Sequence, residues 1–305
     1  MITRHTRNGI TWVDLETPTR EELRAVMNEF DIDARVEEEV ISPTPYPLVL
    51  SGPHYVYLIL HFPTTDPRGG ARKQEIDFIV GKKFLVTARY EVVEPVHSLH
   101  RVFEAEELLG LPVKSKSADV MVERILRYLY GAIREQVEQT ALQLDRIEDS
   151  IFAGQERQMV RAISLVGRSL LRFDMALTKH AEPLKAFLHQ LEAPAFFGKD
   201  FGVHSAHIQA EHDHTEALVT SYRNVALELR RTNESLLTSS QNETMRTLTI
   251  MAFVLYPLTL IVGLFGMNIE DMPLVGEPGS FWIIIGILIV AAIGLLGIFR
   301  LKKWL

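Results

Sequence analysis

Two apolar runs close the chain. From Thr247 to Gly266, and again from Ser280 to Phe299, no side chain is charged. Each run is about twenty residues, which at ~1.5 Å per residue matches a hydrocarbon core of ~30 Å. The pattern therefore predicts two transmembrane helices, 247–266 and 280–299, joined by a short loop, 267–279, that holds Gly266-Met267-Asn268 at its start. Arg230, Arg231 and Arg246 precede the first run, and Arg300, Lys302 and Lys303 follow the second in a basic tail, 300–305. The loop carries Glu270, Asp271 and Glu277 and no Lys or Arg. By the positive-inside rule both termini are expected in the cytoplasm and the loop outside, with Trp282 and Trp304 anchoring at the two interfaces.

Upstream the pattern is that of a soluble protein. Residues 1–117 read as a mixed α/β unit. Ile10 to Leu15 suits a strand, and Thr17-Pro18 followed by Glu21 and Glu22 suits a helix start, with a capping hydroxyl, a first-turn proline and acids against the dipole. Tyr55 to Phe62 is rich in β-formers and runs into a turn expected over Pro63 to Gly70. Glu75 to Val80 and Lys83 to Arg89 suit a hairpin, and Pro43, Pro45 and Pro47 a loop. From Ser117 the period changes to three and four (Val120, Val122, Ile125, Leu129, Ile133). A helical hairpin is expected over 118–195, turning at Gly154, with a kink or break at Pro183. No proline lies between Pro194 and Pro257. A stalk helix over 196–246 would run on into the first span, on the order of 80–90 Å in all.

Composition adds a split that averages conceal. The 305-residue chain has a formal charge of −7, yet its last sixty or so residues are almost free of charge apart from the tail. The N-terminal segment has no apolar core of the kind a signal peptide needs, so the large soluble part is expected to stay in the cytoplasm. There is no cysteine, which suits a reducing compartment. No nucleophile–base pair, catalytic metal motif or Walker-type Gly-Lys-Ser/Thr string stands out. Neither an enzyme nor a nucleotide or nucleic-acid partner is expected.

One pair of membrane helices cannot enclose a water-filled path. Counting by three and four along the first span nevertheless gives a stripe of Asn242, Met245, Leu248/Thr249, Ala252, Tyr256, Thr259 and Gly263. Such hydroxyls can bond back to their own helix or glue two helices together. A stripe that leads up to an acidic loop and down into a very long helix points instead to a pore lined by several copies. The second span, with Gly286, Gly294, Gly297 and Ala291-Ala292, suits an outer support packed closely against neighbours.

The string Asn242-Glu243-Thr244-Met245-Arg246-Thr247-Leu248-Thr249, then Tyr256-Pro257-Leu258-Thr259, Gly263, Phe265 and Gly266-Met267-Asn268, resembles the CorA family of magnesium channels. Met272-Pro273 and the terminal Lys302-Lys303-Trp304-Leu305 extend the likeness, and Trp12 to Leu15, Glu38 to Ile41 and Glu75 to Thr87 carry it more weakly into the soluble part. The resemblance implies a funnel-shaped homopentamer: an α+β cytosolic domain with a mixed sheet, a long stalk helix and two C-terminal transmembrane helices, in the cell inner membrane. It implies a selectivity filter of Gly266, Met267 and Asn268, and a pore lined by Asn242, Met245, Leu248, Tyr256 and Thr259. Met245 and Leu248 would form a hydrophobic gate. Magnesium would be the substrate and a regulatory ligand, with cobalt and nickel able to pass. Tyr256 departs from the family, which often has Met there.

The chemistry agrees. Magnesium sheds its water shell reluctantly, and neutral amide oxygens can accept hydrogen bonds from that shell without stripping it. Carboxylates at the same place would hold the ion too well. Glu270, Asp271 and Glu277 can concentrate cations at the mouth. Two charges moving down ~100 mV release roughly 4.6 kcal/mol, so no ATP is needed.

The resemblance also implies a cytosolic metal sensor between subunits, with Glu39 on one side. Its partner on the long helix is His207 by ungapped counting and Asp213 by the match at Asp213-His214-Thr215. His204, His207, Glu211 and His214 share one helical face, and imidazoles suit zinc, cobalt or nickel better than magnesium. The plainer reading of that face, solvated or touching a neighbouring subunit, is preferred to metal binding. A ZntB-like zinc transporter and a two-span receptor with a signalling domain are the competing functions.

Overall fold

The computed structural model describes residues 1–65, 71–110, 117–267 and 279–302. The chain divides into two compact units, Met1–Arg230 and Arg231–Leu305.

The first unit is built on a six-stranded sheet. Its strands are β1 (Ile2–Arg7), β2 (Ile10–Glu16), β3 (Leu48–Ser51), β4 (Tyr55–Thr65), β5 (Ala71–Gly81) and β6 (Phe84–Arg89), in the order β1-β2-β6-β5-β4-β3. Only β2 and β6 pair in parallel. The β5–β6 hairpin lies where the sequence places it. Residues 55–62 are buried throughout, because the sheet is covered on both faces. Alternate residues Tyr55, Tyr57 and Ile59 pack with Leu23, Val26, Met27, Val36 and Val40 of helices α1 (Arg20–Glu29) and α2 (Ala34–Ile41). On the other face Phe62 meets Tyr130 and His180, on helices α4 (Asp119–Phe152) and α5 (Glu156–Leu191). Helix α3 (Glu94–Leu108) stacks His100 on Trp12 of β2 at 4.2 Å.

Four local expectations change. The cap of α1 is Thr19, not Thr17: Thr19 and Glu22 form a reciprocal capping box. Thr17 has φ 42° and donates its N–H to Arg89 O at 2.8 Å, so it still belongs to the sheet edge. Pro63 is in β4 rather than in a turn. There β3 has already ended, so only β5 flanks the strand and the missing N–H costs no ladder bond. Pro183 does not break α5, which runs from Glu156 to Leu191 around it. The Gly154 turn is as expected, at φ 83°. A 3-10 turn, Lys199–Phe201, precedes helix α6 (Gly202–Phe265), which therefore starts later than residue 196.

The second unit holds the C-terminal part of α6 and helix α7 (Ser280–Leu301). Phe253 and Phe299 bring the two helices together, rings 6.4 Å apart. Both apolar segments are long enough to cross a membrane, yet only 6 % and 0 % of their most apolar windows are buried within the chain. Surfaces so apolar need lipid or other chains around them.

Candidate pore and soluble-domain sites

Asn242, Met245, Leu248, Tyr256 and Thr259 are all exposed on α6, with Tyr256 the most exposed of the large apolar ones at 75 %. Thr249 Oγ1 donates to Met245 O at 2.7 Å, and Thr259 Oγ1 to Leu255 O at 2.9 Å. The hydroxyl protons are thereby used within the helix, which leaves each oxygen an acceptor. That polarity suits a hydrated cation. Gly266 N donates to Val262 O at 2.9 Å and Met267 N to Leu264 O at 3.2 Å, closing the helix at Gly266-Met267. Asn268, Glu270, Asp271, Glu277, Lys303 and Trp304 lie outside the described residues. A Cβ added at Gly263, Gly286, Gly294 or Gly297 would meet nothing within 4 Å among the described residues.

The soluble-domain residues do not gather within one chain. Glu39 sits half-buried on α2, against the sheet face that carries Tyr57 and Asp77. Asp77 is fully buried, and its carboxyl is pushed well above the ordinary range by burial and then by Glu75, with Glu39 adding to the effect. Thr44 N and His61 Nε2 lie 2.7 and 3.0 Å from Glu75 Oε2. Among the described residues, Glu75 Oε1, Asp77 Oδ1 and the Tyr57 hydroxyl have no hydrogen-bond partner.

His207, Glu211 and Asp213 belong to the opposite side, where α6 meets α4 and α5. His204 and His207 both turn their Nδ1 atoms to Glu123 of α4, His207 at 2.8 Å. Burial pushes Glu123 up, but His204, His207 and Arg127 outweigh it and hold the carboxyl below its usual range. Glu211 is paired with Arg134. His214 is exposed, while His212 beside it is buried, with Asp213 as a neighbour at 3.0 Å. Helical counting thus grouped four residues that do not share one site: His204 and His207 go to Glu123, Glu211 to Arg134, and His214 is exposed. Glu123 and His212 were missed: the first is remote in sequence, the second lies on the other side of the helix.

The first unit also holds a buried polar chain. His5 Nε2 is 2.9 Å from His100 Nδ1, and His100 Nε2 is 2.9 Å from Asp14 Oδ2. Asp14 is bonded by Arg89 and by Thr87 as well. Burial raises Asp14, but His100 and Arg89 more than reverse that and leave its pKa lowered.

A mixed-sheet soluble domain, a very long helix and two exposed apolar helices with a polar stripe define a membrane transport protein of the two-span class. The CorA-like Mg2+ transporter family model matches residues 7–303. The chain belongs to that family, whose members are transporters and not enzymes. It is 24 % identical to the cobalt/magnesium transport protein CorA of Thermotoga maritima, over 97 % of this chain and 83 % of that one. The complete CorA magnesium transporter of Methanocaldococcus jannaschii superposes with a TM-score of 0.83 at 18 % identity, covering 97 % of this chain and 92 % of that one. The ZntB cytoplasmic domain of Vibrio parahaemolyticus superposes with a TM-score of 0.60 at 9 % identity, covering 75 % of this chain and 88 % of that domain. This protein is a membrane-located divalent-cation transporter of the CorA type.

Proposed function

We propose that the chain assembles as a homopentamer into a passive magnesium channel, driven by membrane potential and closed by cytosolic divalent ions. The observation that carries this reading is the exposed stripe Asn242, Met245, Leu248, Tyr256 and Thr259 on the helix that ends at Gly266-Met267. In a ring of copies, those side chains line a path that one chain cannot enclose. Asn268 amide oxygens accept hydrogen bonds from the water shell of magnesium, which passes the filter without full dehydration. Met245 and Leu248 form the dry constriction. Both termini face the cytoplasm, so Glu270, Asp271 and Glu277 draw cations to the outer mouth.

Glu39 lies on the sheet face opposite the α6 residues, so a sensor joining it to His207 or Asp213 takes one group from each of two neighbouring copies. Ion binding there locks copies together and closes the pore, and loss of the ion frees them. Cobalt and nickel, close in size and also divalent, share the path. Magnesium flux into proteoliposomes holding the purified full chain tests the reading. A negative-inside potential is expected to drive uptake that Asn268→Ala abolishes. No magnesium flux from folded oligomer, or no effect of Asn268→Ala, defeats it. Zinc in the same assay, taken up with a proton gradient and in preference to magnesium, would favour a ZntB-like transporter.

A further inference from the structure

His212 is fully buried where α6 meets α5. Its Nε2 lies 3.0 Å from the Leu177 carbonyl oxygen. A carbonyl only accepts, so the ring hydrogen is on Nε2 and donates to it. In the neutral ring Nδ1 then carries a lone pair. That lone pair faces Asp213 Oδ1 at 3.0 Å, and the same oxygen already accepts from Gln209 Nε2 at 2.7 Å. Two acceptors at such a distance repel unless a proton or a metal ion lies between them.

Glu216, one turn further along, supplies a second carboxylate. One ligand atom from each of His212, Asp213 and Glu216 lies within 4.8 Å of the other two. Small side-chain rotations bring three such atoms to the ~2.0–2.2 Å that zinc takes with nitrogen and oxygen. The supports are in place: Thr178 Oγ1 donates to Glu216 Oε1 at 3.2 Å, and the Tyr130 ring stands edge-on to His212 at 5.3 Å. A backbone carbonyl on the far nitrogen of an imidazole is the arrangement that orients a metal-bound histidine. Asp213 is 61 % exposed, which leaves an open side for water ligands. One imidazole and two carboxylates carry a charge that a divalent ion cancels, and the nitrogen selects zinc, cobalt or nickel over magnesium.

We propose that His212, Asp213 and Glu216 form a transition-metal site within a single protomer, on α6 and braced by Leu177 and Thr178 of α5. It needs no second subunit; it shares Asp213 with the sensor reading, so the single Glu216→Gln, which leaves that sensor intact, is expected to weaken zinc by itself. The test is zinc binding to the full chain in detergent by equilibrium dialysis, with magnesium in excess to fill magnesium sites, and cobalt absorption as a second readout. Asp213→Asn/Glu216→Gln and the single Glu216→Gln alter side chains at the open side of the site. The double variant is expected to lose one zinc equivalent per chain, or to weaken it by at least about tenfold, and to lose the cobalt bands. Equal zinc binding by wild type and double variant overturns the proposal. So does loss of that zinc in His207→Ala with the double variant unaffected, which would put the metal beside Glu123.

Discussion

Glu123 Oε1 accepts a hydrogen bond from His207 Nδ1 at 2.8 Å, while its other oxygen takes His204. One carboxylate of α4 therefore gathers two imidazoles of α6 at a buried position. In Glu123→Gln an amide N–H replaces one accepting oxygen and faces a nitrogen that itself donates. The expected loss is roughly 1–3 kcal/mol, the cost of leaving a buried polar group unpaired, read from chemical unfolding of the purified chain. Glu123 is held below its usual 4.5. Its contribution is thus present above that value and is lost as pH falls through the lowered one. Unchanged stability in Glu123→Gln would mean that the histidines are held by something else.

Asp14 and Arg89 form a different kind of contact, an ion pair 1 % and 2 % exposed on adjacent strands. Arg89 Nε and Nη2 both reach Asp14 Oδ2, at 3.1 and 2.9 Å, and Nη2 is also 2.5 Å from Glu16 Oε2. Asp14→Asn leaves the guanidinium with Glu16 as its remaining counter-charge and turns an amide toward His100. Breaking a buried pair from one side costs about 3–5 kcal/mol. The variant is expected to unfold at correspondingly lower denaturant. A loss below about 1 kcal/mol would show that Glu16 suffices as counter-charge.

How far the sequence carries depends on what each feature answers to. The two spans are legible because lipid imposes length and the absence of charge on a continuous stretch. The β5–β6 hairpin is legible because its pattern is local. β1 and β3 escaped notice: Ile2–Arg7 has one apolar residue among Thr, Arg and His, and Leu48–Ser51 is only four residues long. Each is a strand because a neighbour, β2 or β4, offers it an edge. Thr17 looks like the cap, but its N–H is held by Arg89 O, and the capping box with Glu22 falls to Thr19. Helical counting placed His207 and Glu211 on one face correctly. It could not see that Glu123 and Arg134, some eighty residues earlier, claim them.

His180 supplies a pH dependence with a defined sign. It is wholly buried, donates from Nε2 to His61 O at 3.0 Å and accepts at Nδ1 from the Tyr130 hydroxyl at 3.3 Å. Both nitrogens are satisfied by the neutral ring. Burial lowers its pKa from 6.5 to about 3. The unfolded chain therefore binds this proton first as pH falls. The stability it contributes is complete above 6.5 and is lost progressively as pH drops toward 3, at up to about 1.4 kcal/mol per unit. His180→Gln keeps one donor and one acceptor without titrating. Its thermal midpoint is expected to fall less steeply than that of the wild type between pH 6 and 4. Parallel curves would assign the acid sensitivity to other groups.

Met245 and Leu248 are 61 % and 55 % exposed on α6, three residues apart and with no polar atom to offer a passing ion. If they face the axis of an oligomer, they make the path dry at one level, and a hydrated divalent ion must cross it without the hydrogen bonds it has elsewhere. Leu248→Asn replaces an apolar ring by amides that hold water. Lowering the barrier by ~1.4 kcal/mol raises flux roughly tenfold, so the variant is expected to leak magnesium even when internal magnesium is high. Proteoliposomes loaded with magnesium and an indicator measure it. Leu258, equally apolar and half-buried on α6, lies off the stripe, and Leu258→Asn tests whether polarity alone opens the path. An equal leak from both variants would mean that the membrane segment had been loosened, and that Leu248 is no gate.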